Sequence, residues 1–119
     1  MDFNIEFYET ENGSCPVKEF IDSLDIKMKA RVIRKIELLK GYGNQLRSPN
    51  SKSLGNGIFE LRCQQSNNIT RILYFFYVNQ NIVITNGFTK KTQKTPRNEI
   101  ELAKARRKDY LERHSNQSK

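Results

Sequence analysis

The stretch Ile69-Thr-Arg-Ile-Leu-Tyr-Phe-Phe-Tyr-Val78 decides the fold. β-Branched and aromatic side chains fill it almost without interruption, and such residues fit a pleated sheet surface. Polar groups occur only near its start, so both faces are apolar, which predicts a central strand covered on both sides. The runs Ile58 to Cys63 and Ile82 to Phe88 have the same character. Gln65-Ser-Asn-Asn68 and Asn79-Gln-Asn81 separate the three and suit hairpin turns.

Upstream, Phe3, Ile5 and Phe7 alternate with polar neighbours, which predicts a half-buried first strand. After a turn at Glu11-Asn-Gly-Ser14, Pro16 suits a first helical turn, with Ser14 or Cys15 as its cap. Val17, Phe20, Ile21 and Leu24 recur at helical spacing. Asp25 is a good N-cap for a longer second helix. Its apolar positions include Val32, Ile33, Ile36, Leu39 and Tyr42, and Lys27, Lys29, Arg31, Arg34 and Lys35 cover the rest until Gly41 and Gly43 end it. The tight junction predicts an antiparallel helical hairpin. The polar segment 44–56 is expected to be a loop.

Downstream, Thr95-Pro96 supplies a cap and a first-turn proline, and Glu99 and Glu101 favour the positive end of a last helix. Ile100, Ala103, Tyr110 and Leu111 mark its apolar stripe. The expected order is β-α-α-β-β-β-α over residues 1–114. This is an α+β domain with an antiparallel sheet, a helical hairpin on one face and a C-terminal helix, and a frayed tail at 115–119.

Composition bounds the function. A chain of 119 residues, 36% hydrophobic, suits one compact core and not two. No apolar run approaches the ~18–20 residues that span a bilayer. Met1-Asp-Phe-Asn-Ile-Glu6 lacks the basic and apolar regions of a signal peptide, so a cytoplasmic location without a membrane is expected. Cys15 and Cys63 have no metal-ligand spacing and read as two reduced thiols. The net charge is +8 and segregated: residues 1–25 hold seven acids and one base, residues 26–88 ten bases and two acids. Such a field attracts polyanions, nucleic acid above all, although it also serves solubility.

Three segments then carry a resemblance. Lys52-Ser-Leu-Gly-Asn-Gly-Ile-Phe-Glu-Leu-Arg62, Arg71-Ile-Leu-Tyr-Phe-Phe76 and Asn86-Gly-Phe-Thr-Lys-Lys-Thr-Gln-Lys-Thr-Pro96, followed by Glu99-Ile-Glu-Leu-Ala103, resemble successive motifs of the RelE/ParE toxin superfamily, in its phage-derived HigB-type branch. The resemblance covers essentially the whole chain. It implies a RelE-like fold and cleavage of messenger RNA, usually on the ribosome. It also implies silencing by a cognate antitoxin, commonly of helix-turn-helix type.

RNA cleavage without a metal needs a base for the 2′-hydroxyl, cations for the phosphate and an acid for the leaving oxygen. A histidine pair is excluded, because His114 is the only histidine. A two-metal carboxylate site is poorly supplied, since Glu37 and Glu60 are the only acids between residues 26 and 88. No cofactor is expected. What remains is a basic cluster. Arg62 is the best candidate for gripping phosphate, because its planar fork matches phosphate oxygens. Alternation puts it on one strand face with Glu60, opposite Phe59, Leu61 and Cys63. Lys52 and either Lys90 or Lys91 are candidates for base or acid if neighbouring cations depress their pKa. Glu60 could orient Arg62, act as a base, or form a structural ion pair. Arg71 and Lys94 are candidate RNA contacts, and Phe88, or Tyr42 or Tyr74, could stack on a base. The tyrosine that the RelE pattern places after the last basic strand is missing, and Tyr110 reads as structural.

The alternatives are a gyrase-poisoning ParE-like toxin of the same fold, a non-catalytic basic RNA-binding module, and a phage accessory protein whose charge only aids solubility.

Overall fold

The computed structural model describes residues 2–91 and 93–117. Its elements are β1 (Asn4–Phe7), α1 (Pro16–Asp22), α2 (Ile26–Tyr42), a 3-10 turn (Gly43–Gln45), β2 (Ser51–Gly55), β3 (Ile58–Gln65), β4 (Asn68–Tyr77), β5 (Asn81–Lys90) and α3 (Arg97–Gln117). One five-stranded sheet has the order β1-β5-β4-β3-β2, so the Ile69 stretch is its middle strand. The fold is α+β, with helices on both sides of that sheet.

Strand alternation assigns the two faces. Leu61, Cys63, Ile72, Tyr74, Ile82 and Ile84 meet Val17, Ile21, Met28, Val32, Ile36 and Leu39 of the helical hairpin. Ile58, Leu73, Phe75, Val83 and Phe88 face the other way and pack with Ala103 and Tyr110 of α3. Burial of this kind contributes about 1.5–3 kcal/mol for each large apolar side chain. Asp25 caps α2 as the sequence predicts, its Oδ1 accepting from the Met28 amide at 2.9 Å. Gly43 ends the helix at φ +55, and any Cβ there would stand 2.0 Å from the Phe3 ring.

The structure departs from the sequence reading in several places, and Leu111, expected on the apolar stripe of α3, is 39% exposed. A strand, β2, forms inside the segment read as a loop. Ser51-Lys-Ser-Leu-Gly55 has little strand propensity of its own and owes its form to antiparallel pairing with β3. The sheet is mixed, because β1 runs parallel to β5 at the far edge, Ile5 opposite Ile82. Ile33 and Tyr42, placed on the apolar stripe of α2, are exposed (47% and 58%), because Met28, Val32, Ile36 and Leu39 complete the buried face without them. The Thr95 hydroxyl donates to the carboxylate of Glu60, a different task from the helix cap expected of it. α3 runs through Gln117, and residues 118 and 119 of the expected tail lie outside the described residues.

A bulge bends β5 where it meets α3. Leu73 faces Asn86 and Tyr74 faces Ile84, which leaves Thr85 as the extra residue. Its carbonyl accepts from Arg106 Nη1 at 2.8 Å, and the Asn86 amide donates to Glu99 Oε1 at 3.1 Å. The last helix is thereby fixed to the sheet.

Candidate functional site

The register of the central strands builds the site row by row. Arg62 of β3 faces Arg71 of β4, which faces Phe88 of β5. The next row is Lys52, Glu60 and Leu73. Within a row, side chains share a face, so Glu60, Arg62, Arg71 and Phe88 come together on the α3 side.

Glu60 is the hub and is only 1% exposed. Its Oε2 is 3.7 Å from Arg71 Nε and accepts from Thr95 Oγ1, while its Oε1 is 4.0 Å from Arg62 Nε. Arg71 is fully buried, with its guanidinium carbon 5.7 Å from the centre of the Phe88 ring. Burial lowers the Arg71 pKa from its ordinary value; Glu60 counters that effect and Arg62 adds to it. Two cations around one carboxylate leave a net positive charge, and Arg62 is the member whose side chain reaches solvent (22% exposed).

Arg62 opens into a groove of about 440 Å³ between α2 and the β2–β3 edge. Arg31, Arg34 and Lys35 of α2 line it, with Lys52, Arg62, Gln93, Ser48, Pro49, Ser51, Cys63, Gln64 and Ile69. No carboxylate is among these described lining residues. Lys35 Nζ donates to Asn50 Oδ1, which fixes one wall, and Arg62 Nη2 donates to Gln93 Oε1 at 2.9 Å, which fixes the other. Burial pushes the Cys63 thiol up to about 12, against the opposing pull of Lys35, so this sulfur is a neutral thiol and a poor nucleophile. Among the described residues, no group of three His, Cys, Asp or Glu side chains is placed to hold a metal ion.

The candidates divide accordingly. Arg62 and Lys52 line the groove. Glu60 lies beneath Arg62, 4.0 Å from its Nε, with its carboxylate almost wholly covered by other side chains. Arg71 and Phe88 (7% exposed), read as RNA contacts, are in the interior, because α3 and the neighbouring strands cover the middle of the sheet. Lys90 is exposed at the end of β5, opposite Ile69. Strand spacing and rise place its Cα roughly 12 Å from that of Arg62. Lys91 and Lys94 are exposed just beyond it, and none of these three lysines lines the groove. Tyr74 is buried with its hydroxyl 2.5 Å from Ser51 Oγ, and Tyr110 is buried with its hydroxyl donating to Glu6 at 2.7 Å.

Arg31, Arg34, Lys35 and Gln93 were not singled out from the sequence. The three helical cations had a readable signal: their i, i+3, i+4 spacing puts them on one face, beside the buried stripe. Gln93 had none.

No curated protein matches the chain. A family model does match: the one described as "Phage derived protein Gp49-like (DUF891)" fits residues 19–108, about three quarters of the chain. The match runs from within α1 to within α3 and takes in every groove residue named above. That family lies within the RelE/ParE-like toxin superfamily, a class whose members imply an antitoxin partner. With three quarters of its length matched, this chain belongs to the phage-derived Gp49-like family of toxin-like proteins.

Proposed function

We propose that the chain is the toxin of a type II toxin–antitoxin pair, of the HigB-type branch, and that it cuts messenger RNA at the ribosome without a metal ion. The observation that carries this reading is the groove itself: five cationic side chains converge on it, and none of its described lining residues is an acid. Such a lining suits a polyphosphate strand and repels little of it.

In this mechanism Arg62 holds the non-bridging oxygens of the scissile phosphate and stabilises the charge that builds there. Lys52, reacting as its neutral amine, takes the proton of the 2′-hydroxyl as that oxygen bonds to phosphorus. The bond to the 5′-oxygen breaks, and the ammonium group of Lys90 or Lys91 gives a proton to that oxygen. The products are a 2′,3′-cyclic phosphate and a free 5′-hydroxyl. Arg31, Arg34 and Lys35 hold the strand, and Lys94 contacts its backbone beyond the scissile bond. A helix-turn-helix antitoxin covers this basic face in the silenced pair.

The test adds purified protein to translating ribosomes in excess chelator, with transcript ends mapped by primer extension. Cutting that survives the chelator and disappears with Arg62→Ala is expected. Intact transcripts with gyrase-linked DNA breaks would identify a ParE-like poison, and RNA retention without cutting would identify a binding module.

A further inference from the structure

Arg62 is already occupied. Its Nη2 donates to Gln93 Oε1 at 2.9 Å and leans on the Gln93 carbonyl oxygen at 3.3 Å. Both residues line the basic groove, so the two oxygens stand where a substrate's phosphate oxygens would approach. Two residues on, Thr95 is tied to the buried carboxylate of Glu60, the same group that lies 4.0 Å behind Arg62. The connection between β5 and α3 is thus anchored at the residue that supports Arg62, and Gln93 is kept within its reach.

We propose that Gln93 is a built-in stand-in for phosphate: it holds the Arg62 guanidinium toward the groove in the free protein and is displaced when an RNA phosphate enters. This inference rests on the reading of Arg62 as the phosphate-gripping residue. The chemistry favours glutamine in this role. A neutral amide oxygen holds a guanidinium weakly enough for a charged phosphate to replace it, whereas a carboxylate would form a charge-assisted pair and compete far better. The exposed position of Gln93 lets it swing out without disturbing the core. Gln93 is therefore a positioning residue that sets affinity through Arg62.

The probe is a fluorescent 2′-O-methyl RNA octanucleotide, which offers phosphates but no hydroxyl to attack, titrated at one salt concentration into the full chain. A hydrogen bond of this kind has a net worth equivalent to about threefold to tenfold in a binding constant. Gln93→Ala is expected to tighten binding by about that factor, and Gln93→Glu to weaken it at least tenfold. In an Arg62→Ala background both changes should shrink to within twofold, because the group they act through is gone. If Gln93→Ala leaves affinity unchanged or weaker while Arg62→Ala still lowers it, the stand-in is overturned and the phosphate reading survives. If Gln93→Glu weakens binding equally in both backgrounds, its effect is general repulsion and the proposal again fails. If the wild-type chain does not bind the probe, or Arg62→Ala binds as well as wild type, the phosphate reading itself falls.

Discussion

Arg62 and Arg71 face each other across the β3–β4 pair on the same side of the sheet, yet the Arg62 side chain is 22% exposed and that of Arg71 is not exposed at all. The difference is positional. β4 is the middle strand, covered by helices on both faces, while β3 has only the short β2 outside it. One arginine is therefore available to a ligand. The other is a buried cation whose partner is Glu60.

Arg62→Ala and Arg71→Ala should accordingly fail in different ways. Arg62→Ala is expected to lower RNA cutting at least a hundredfold with little change in melting temperature. Arg71→Ala leaves the buried Glu60 carboxylate with only the longer Arg62 contact and the Thr95 hydroxyl, a loss of up to about 3–5 kcal/mol. Replacing both as Glu60→Leu with Arg71→Met should recover much of that stability, since an apolar pair has no desolvation cost. Chemical denaturation of the three variants checks this; equal losses for Arg62→Ala and Arg71→Ala would contradict the assignment.

Arg31 and Arg34 should act as phosphate contacts and nothing more. Each neutralised single-strand phosphate contributes about 0.7 to the slope of log affinity against log salt. Arg31→Ala and Arg34→Ala are each expected to reduce the slope by about that amount, and the double variant by about twice it. Titrations at several salt concentrations measure it directly. An unchanged slope would remove α2 from the RNA path.

Gly43→Ala is expected to be among the most damaging single methyl additions in the chain. The position needs φ +55, and the new Cβ would fall within 2.5 Å of three Phe3 ring atoms, where the chain enters β1. Backbone strain and overpacking together predict a loss of about 2–4 kcal/mol. Thermal unfolding of Gly43→Ala beside Gly41→Ala, whose Cβ would meet nothing within 4 Å, isolates the effect.

Alkaline pH should destabilise the fold. Burial pushes the Cys63 thiol up to about 12 and also raises the Tyr74, Tyr8 and Tyr110 phenols. Their unfolded counterparts lose protons near pH 9–10. Between that point and the folded values the unfolded state binds fewer protons, so stability falls as pH rises and is unaffected by these groups below about pH 8. Melting temperatures from pH 7 to 11 test the sign. Iodoacetamide at pH 8 should label half-buried Cys15 in the native protein and Cys63 only after unfolding.

The sequence by itself determined what depends on local period and propensity. The apolar run from Ile69 requires a central strand, Asp25 requires a helix start, and alternation along β3 separates Glu60 and Arg62 from Leu61 and Cys63. Tertiary structure alone decided what depends on partners far away in the chain. β2 is a strand because β3 pairs with it, and β1 lies parallel to β5 because the helical hairpin carries the chain across the sheet. Arg71 and Arg62 differ only in what covers them, and α2 contributes three cations to the groove only because its buried stripe seats it there. Register and coverage are sums over non-local contacts, and no window of sequence contains both sides of such a contact.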